Sequence, residues 1–402
     1  MREAGLLRIR LETATVIVSK RGKGGFYTST RHIPSSTMIG ALARRAILEN
    51  ISTGLGNCSK LRGPNQMPNC LGCDAKERCI YYQLWVEKKL KVSDALKSEQ
   101  KRLLDPPAVP SLQSLFENRE KKAKDGLLYL ALTRRAIRKD LGLNILFNKN
   151  FEEFKKSPKN VGVSEESFKK FKPELTYSPH VGINGIFRAA EKGLLYSHAT
   201  LSPGSEFVAP ALADEGVMRW LKDNSPMEIE IGSQRSRGYG YASLFVDEIT
   251  GLEEYIEGRT KEIDEGFQLI GERVVELTEE KIERCIGTLT GLTPLPLNGG
   301  TPDTSLSQRI GVEGLELLFI TYKRGVHTRY DFQTLDGEGP SLTLTPVIQG
   351  GYGAVFITKE RTEDLPRRLA EAEVSDRGYE PWFGWVYFNH PIHYSKEHVK
   401  GG

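Results

Sequence analysis

Alternation of apolar and polar residues predicts strands near both ends of the first 250 residues. Residues 6–18 alternate over part of their length, and residues 227–231 and 241–246 are alternating or rich in β-formers. A period of two places the apolar side chains of a segment on one face, which is typical of a half-buried strand. The last two segments flank residues 232–240, a loop rich in glycine and arginine, and are predicted to lie in one sheet.

The segment that follows His32 carries a helical pattern instead. Pro34 blocks an earlier start, and the two serines after it are suited to cap the first turn. Gly40 makes the helix thin, which lets a backbone or a phosphate approach, and the N–H groups of the first turn predict an anion site. His32 is a candidate general acid or base. The sequence favours an ordinary loop histidine, because it places no catalytic partner beside this residue.

The remaining pattern predicts an interrupted first domain and a second domain. Residues 1–250 read as strand, helix, insertion, paired strands, helix and strand, with the insertion at 55–175 and a helix predicted over 80–104. Residues 251–280 are acidic and are predicted to be a linker, and residues 281–402 form the second domain. Gly384 stands between two aromatic residues before a final strand, as Gly240 does. This repetition indicates a duplicated fold whose second copy has lost the arginines of the first.

Composition narrows the function classes. The chain has 402 residues, 39% of them hydrophobic and 27% charged, which is typical of a globular protein of two or three domains. The formal net charge of +4 neither requires nor excludes a nucleic-acid partner, since clustering of the basic residues matters more. The sequence contains no apolar run long enough for a membrane span and no secretory leader, so we expect a cytoplasmic protein.

Four of the five cysteines lie within residues 58–79. Cys70 and Cys73 form a Cys-x2-Cys pair, and Cys58 and Cys79 flank it at irregular spacings. Four thiolates fill the coordination sphere of a tetrahedral zinc ion, so the pattern predicts a structural zinc site that is not catalytic. An iron–sulfur cluster is the alternative, because it uses the same number of cysteines.

Two loops concentrate positive charge among glycines. Arg235 and Arg237 belong to the loop at 232–240, and their guanidinium groups are bidentate donors suited to phosphate. Lys20, Arg21 and Lys23 belong to an earlier loop, which is interpreted either as a phosphate-binding loop or as a solvated hairpin tip. Basic loops next to exposed aromatic residues are suited to single-stranded RNA.

Three motifs resemble the CRISPR-associated RAMP superfamily. They are Ile33-Pro-Ser-Ser-Thr-Met-Ile-Gly-Ala-Leu-Ala43, the pair Gly193-Leu-Leu-Tyr196 and Leu201-Ser-Pro-Gly-Ser-Glu-Phe207, and Gly232-Ser-Gln-Arg-Ser-Arg-Gly-Tyr-Gly240. They occur in the order of that superfamily. Within it, the chain looks most like the large double-domain subunit of type III-D effector complexes, a relative of the subunits that cap the 5′ end of the guide.

The resemblance implies an α+β chain of two ferredoxin-like (RRM-like) domains in tandem, the first interrupted by the cysteine-rich insertion. It implies binding of the 5′ repeat-derived handle of CRISPR RNA, beside the large polymerase-like subunit and the backbone RAMP subunits, with target RNA contacted indirectly. No catalytic activity is implied, and the alternative is a metal-independent endoribonuclease that uses His32. The residues expected to bind RNA are Arg235, Arg237, Gly238, Tyr239, Gly240, Lys20, Arg21, Lys23, Gly40 and Arg44.

Overall fold

The computed structural model describes most of the chain, in two compact units. The first unit is drawn from residues 1–98, 172–249 and 332–341, and the second from residues 99–171, 250–331 and 342–402. The described residues are 2–21, 26–61, 69–70, 72–110, 115–117, 123–125, 127–132, 134, 141, 162–163, 170–171, 173–183, 190–278, 280, 282, 284–331, 341–358 and 362–394.

The chain contains both strands and α-helices, with several runs of consecutive strands. Within the described residues the strands are β1 (Arg2–Leu11), β2 (Val18–Arg21), β3 (Phe26–Ser29), β4 (Leu90–Val92), β5 (Leu115–Glu117), β6 (Ala123–Asp125), β7 (Gly162–Val163), β8 (Lys170–Phe171), β9 (Leu175–Ile183), β10 (Ala190–Leu201), β11 (Glu206–Asp214), β12 (Met227–Glu230), β13 (Tyr241–Gly251), β14 (Cys285–Gly291), β15 (Leu295–Pro296), β16 (Leu315–Thr321), β17 (Arg324–Asp331), β18 (Ser341–Ile348), β19 (Gly353–Thr358) and β20 (Val386–Phe388). The α-helices are α1 (Ser35–Thr53), α2 (Ile80–Trp85), α3 (Leu127–Leu132), α4 (Glu215–Asp223), α5 (Leu252–Thr278), α6 (Pro302–Ile310) and α7 (Leu365–Val374).

The first unit contains a five-stranded sheet in the order β12-β13-β1-β11-β4. Strand β11 pairs antiparallel with both β1 and β4, and β12 pairs antiparallel with β13. Helix α1 follows β1, and α4 follows β11, so the chain order is strand, helix, two strands, helix and a final hairpin. Met38 and Leu42 of α1 are fully buried, as are Leu6 and Leu7 of β1. Burial of each such side chain stabilises the fold by roughly 1.5–3 kcal/mol.

A second sheet of the first unit has the order β2-β3-β10-β9. Strands β9 and β10 pair antiparallel, with Leu201 opposite Leu175. This pairing confirms the paired strands predicted before the second helix of the domain, and the antiparallel pairing of β12 with β13 confirms that they share a sheet.

The second unit repeats the strand order of the first. Its sheet runs β16-β19-β14-β20, and β14 pairs antiparallel with both β19 and β20. Helix α6 follows β14, and α7 follows β19. When β12 at the edge of the first sheet is left out, each sheet has four strands. Numbered in chain order within each unit, these four strands have the spatial order 4-1-3-2 in both sheets. A separate sheet, β15-β18-β17, also belongs to this unit.

The structure differs from the predicted linker at residues 251–280. Residues 252–278 form the single helix α5, which belongs to the second unit. Ile256, Ile263, Phe267 and Ile270 are buried along one side of it, and this helical spacing is hidden in the sequence by the acidic residues between them.

The predicted insertion at 55–175 is also divided differently. Residues up to 98 belong to the first unit, and residues 99–171 belong to the second. The helix predicted over 80–104 ends at Trp85, and Leu90–Val92 forms β4 at the edge of the main sheet. All three residues of β4 are buried, which favours a strand over continuation of an exposed helix.

None of the helices in the described residues combines the length and the apolar content that a bilayer span requires.

Candidate nucleic-acid interface

The loop at 232–240 joins β12 to β13 and requires glycine at two positions. Gly232 has φ 80° and Gly240 has φ 83°. A Cβ atom at Gly232 would collide with the carbonyl oxygen of Val16, and one at Gly240 would collide with that of Ile231. Between them, Arg235–Arg237 form one 3-10 turn. The glycines therefore bring the backbone close to its neighbours and present the arginines at the tip.

Hydrogen bonds fix the loop to the segment that follows β1. The Ser233 N–H donates to the Val16 carbonyl at 2.9 Å, and the Gly240 N–H donates to the Ala14 carbonyl at 3.0 Å. The Tyr241 N–H donates to Thr13 Oγ1 at 2.9 Å. These bonds hold both ends of the loop, so the arginine turn projects from a rigid base.

Two guanidinium groups near this loop face one carboxylate. Arg44 of α1 donates through Nε to Glu230 Oε2 at 3.0 Å, and both side chains are partly exposed. No hydrogen bond or ion pair joins the Arg235 side chain to another residue in the described part of the chain. Burial lowers the pKa of Arg235, and the charge of Arg44 lowers it further, while Glu230 raises it. Excess positive charge on a half-buried guanidinium is an environment that an anion stabilises.

A depression of about 440 Å³ lies between α1 and β12 beside this charge cluster. Tyr241 lines it and is 44% exposed, which leaves an aromatic face open to solvent. Gly40 lies one helical turn before Arg44, and a Cβ atom built on it would meet nothing within 4 Å. Gly40 is therefore not needed for packing against the sheet, and its surface is open to a ligand.

The first turn of α1 is occupied by a carboxylate. The Ser35 N–H donates to Asp94 Oδ1 at 2.9 Å, and the Thr37 and Met38 N–H groups donate to the Pro34 carbonyl. One N–H group of the predicted anion site at this helix start is therefore taken by a carboxylate that the chain itself supplies. No local sequence pattern indicates this contact, because Asp94 lies 59 residues from Ser35.

His32 lies next to the same carboxylate. Its Nε2 is 3.7 Å from Asp94 Oδ2, which is longer than a hydrogen bond. Asp94 is buried, and burial raises its pKa while His32 lowers it. Asp94 therefore caps the start of α1 by accepting from the Ser35 N–H, and His32 lies beside this capping carboxylate.

The remaining predicted RNA-binding residues lie at different places. Lys20 and Arg21 belong to β2, opposite Thr28 and Tyr27 of β3. Lys23 lies outside the described residues. In the glycine loop, Arg237 and Gly238 are exposed, and Tyr239 is half-buried.

The four cysteines predicted to bind metal converge on one place in the first unit. Cys58, Cys70, Cys73 and Cys79 line a cavity with about 10 Å³ of free space. Cys58 donates a hydrogen bond to Cys79, which lowers the pKa of Cys79 to about 6, and burial raises the pKa of Cys70 to about 12. With the side chains as they stand, no three His, Cys, Asp or Glu residues in the described part of the chain are arranged to hold a metal ion. A shared ion would therefore require these four thiols to rotate toward it.

The second unit contains a counterpart of the glycine loop. Trp385 donates its N–H to Thr293 Oγ1 at 2.8 Å, and Gly384 donates to the Pro294 carbonyl at 2.8 Å. Gly240, Tyr241, Thr13 and Ala14 make the same two bonds in the first unit. Aligned on Gly240 and Gly384, Arg235 and Arg237 correspond to Tyr379 and Pro381.

A buried arginine occupies the base of this second loop. Arg309 of α6 is fully buried and donates to the carbonyl oxygens of Gly384, Ala372 and Glu373, the latter two at 2.9 and 3.2 Å. Sequence reasoning missed this residue, because an arginine in a polar helix is ordinarily exposed.

Three solved structures are similar to this chain. A chain of the type III-B Cmr-beta complex bound to cognate target RNA is 12% identical with a TM-score of 0.40, and the match covers 94% of each chain. A chain of the apo Cmr-beta complex is 14% identical with a TM-score of 0.33, over 60% of this chain and 96% of that one. A chain of a type IV-B CRISPR complex is 13% identical with a TM-score of 0.28, over 61% and 90%.

No protein-family model matches the chain, and no curated protein matches it. The likenesses to solved structures are distant ones, and the fold is defined by the strand and helix order described above.

Proposed function

We propose that this protein is an RNA-binding subunit of a type III CRISPR effector complex, of the type III-D kind, and that it holds the 5′ repeat-derived handle of the CRISPR RNA. The observation that carries the proposal is the half-buried Arg235. It belongs to a glycine loop that is fixed at both ends, and it lies near Arg44 of α1. A phosphate placed there would neutralise the excess charge of the two guanidinium groups. The large polymerase-like subunit and the backbone RAMP subunits are its proposed partners.

The fold supports this proposal through its strand order. In each unit, four strands of the main sheet have the spatial order 4-1-3-2, and two helices follow the first and third of these strands in chain order, which is the ferredoxin-like arrangement; β12 is an additional strand at the edge of the first sheet. We therefore propose two ferredoxin-like domains in tandem, of which the first keeps the basic loop. The related RRM fold binds single-stranded RNA through its sheet, aromatic residues and loops.

The depression beside α1 supports single-stranded RNA as the ligand. Tyr241 offers an exposed ring to a base, Arg44 and Arg45 offer charge to the backbone, and Gly40 leaves room for close approach. Stacking on an aromatic ring tolerates any base, and phosphate contacts read no sequence. A subunit of this kind holds the guide, and base pairing then selects the target.

The test is binding of an RNA with the handle sequence, measured by fluorescence anisotropy over a range of salt concentrations. Replacing both Arg44 and Arg235 by alanine should weaken binding at least about tenfold and lower the salt slope by about 1–2 units, since two phosphate contacts are lost. Arg367→Ala is the matched control, because that exposed arginine is paired with Glu253 and Glu371 in the second unit. Equal affinity and slope in the double variant and the control would reject the proposed interface.

The alternative, a metal-independent endoribonuclease, rests on His32. Such cleavage requires both an acid and a base aligned on the RNA, and the charged neighbour of His32 is the buried Asp94, which caps α1. We therefore propose binding without cleavage. Incubation of the protein with repeat RNA and no metal tests this choice: specific cleavage that disappears in His32→Ala would replace the proposal by the nuclease.

A further inference from the structure

The cysteine cluster is separate from the arginines of the proposed interface and has its own chemistry. Its four thiols come from three places: Cys58 from a 3-10 turn after α1, Cys70 and Cys73 from the segment beyond it, and Cys79 from the start of α2. Cys58, Cys70 and Cys79 are at least 94% buried and Cys73 is partly buried. The fifth cysteine, Cys285, lies in β14 of the second unit and takes no part.

Nitrogen donors contact the sulfur atoms of Cys58, Cys73 and Cys79. The side-chain amide of Asn50 is 3.2 Å from Cys79 Sγ and 3.7 Å from Cys58 Sγ. The Tyr82 N–H donates to Cys79 Sγ at 3.4 Å, and the Asn57 N–H donates to Cys73 Sγ at 3.5 Å. Neutral thiols are weak acceptors that need no such shell, whereas thiolates buried without donors would be unstable.

Asn50 is the observation most difficult to explain without a charged cluster. It is 94% buried in α1, and its side-chain amide lies within 3.7 Å of two sulfur atoms. A tetrathiolate site with a divalent ion has a net charge of about −2, so donors that face the sulfur atoms stabilise it. A cavity of about 10 Å³ has room for one ion and not for an organic cofactor or a preformed cluster.

We propose that Cys58, Cys70, Cys73 and Cys79 together bind one Zn²⁺, and that Asn50 is a positioning residue which donates to two of the four thiolates. Each thiol loses its proton on binding, and the sulfur atoms move by rotation of their side chains to about 2.3 Å from the ion. With four protein ligands the ion has no open position, so its role is structural. It joins the end of α1 to the start of α2, where Cys79 is the N-cap residue.

The placement predicts a link between metal and the RNA-binding helix. Arg44 and Asn50 belong to the same helix, α1, six residues apart. Helix α1 ends at Thr53 with a left-handed cap at Gly54, and the cysteine segment begins directly after it. Loss of the ion should therefore loosen the C-terminal turns of α1, while the sheet of the first unit keeps its own core.

The experiment uses the full chain. Elemental analysis of protein purified without added metal should give about one zinc per chain, and Co²⁺ added to protein stripped by a chelator should produce the visible absorption of a tetrahedral tetrathiolate site. Cys70→Ser with Cys73→Ser should lose both signals, whereas Cys285→Ser should keep both. Asn50→Ala should keep the Co²⁺ spectrum but weaken metal affinity about 10–100-fold, the usual effect of losing an outer hydrogen-bond donor.

Three results would overturn the proposal. Protein without bound metal that also gives no Co²⁺ spectrum would exclude a metal site, and this measurement does not depend on a variant that might misfold. Iron with the absorption of a cluster would replace zinc by the iron–sulfur alternative. A disulfide detected between Cys58 and Cys79 in freshly purified protein would assign the cluster to redox chemistry.

Discussion

Tyr241 and Trp385 occupy equivalent positions in the two units: each donates its backbone N–H to the hydroxyl of a threonine that follows the first strand of its sheet. The equivalence extends along the chain. Gly204 donates to the Leu11 carbonyl at 2.7 Å, and Gly351 donates to the Gly291 carbonyl at 2.8 Å. Thr15 bridges to Leu201 in the first unit, as Leu295 pairs with Ile348 in the second. The arrangement common to the two units thus includes the contacts that hold the glycine loops.

The threonines of this shared contact should differ in importance. Thr293 is fully buried and Thr13 is partly exposed, so Thr293→Val removes a buried acceptor from the Trp385 N–H, while Thr13→Val removes the acceptor of the Tyr241 N–H close to solvent. We expect Thr293→Val to lower the free energy of unfolding by about 1–3 kcal/mol and Thr13→Val by less than about 1 kcal/mol. Urea denaturation followed by circular dichroism measures both, and equal losses would contradict the different burial.

Removing the carboxylate that competes for Arg44 should strengthen RNA binding. Glu230 accepts a hydrogen bond from Arg44 at 3.0 Å, so Glu230→Gln frees more of that guanidinium for phosphate. We expect affinity for handle RNA to rise about 2–10-fold, the effect of roughly 0.4–1.4 kcal/mol. Glu228→Gln is the control, because it removes the same charge from the same strand and lines the same depression. If the two variants gain equally, the effect is one of net charge alone.

Gly40→Ala separates folding from binding. The helix should become more stable by about 0.5–1 kcal/mol, since glycine disfavours helices and the added methyl group meets nothing within 4 Å. RNA affinity should nevertheless fall several-fold if the RNA backbone packs on this position. Gly271→Ala in α5 is the matched control, because Gly271 is also helical with nothing within 4 Å. Thermal melting with anisotropy measures both properties, and full affinity in Gly40→Ala would place the RNA elsewhere.

The second unit depends on a buried ion pair. Arg259 Nε and Nη2 donate to Glu373 at 2.9 and 2.8 Å, and both side chains are almost completely buried. Glu373→Gln leaves the Arg259 charge without its main partner and should destabilise the protein by about 3–5 kcal/mol. Glu371→Gln on the same helix removes an exposed carboxylate that pairs with Arg367 and should cost about 0–1 kcal/mol. A small loss in both variants would show that Arg259 is held by Tyr387 and Glu262 instead.

The sequence predicted the parts of the fold that local patterns encode. The two strands around the glycine loop, the helix after Pro34 and the repeated Gly240 and Gly384 are all local signals. It predicted Arg44 and Arg235 as separate candidates, and the structure brings both next to Glu230. Glu230 itself was missed, because an acidic residue in an alternating strand indicates only a solvent-facing position.

Other features depend on contacts between distant segments. Asp94 caps a helix that begins 59 residues earlier, and Arg259 meets Glu373 across 114 residues. Charged residues are ordinarily assigned to the surface, so neither composition nor period can place them in a core. The acidic helix α5 was read as a linker for the same reason.

Arg309 determines whether the second glycine loop could be converted into an anion-binding loop. Its guanidinium group already binds the Gly384 carbonyl and two carbonyls at the end of α7, so the cation of this unit is directed inward. Arginines grafted onto positions 379 and 381 would add charge above a base that is already filled from within. The two units thus orient their arginines in opposite directions: the first unit carries Arg235 and Arg237 at the surface of its loop, and the second buries Arg309 beneath its loop.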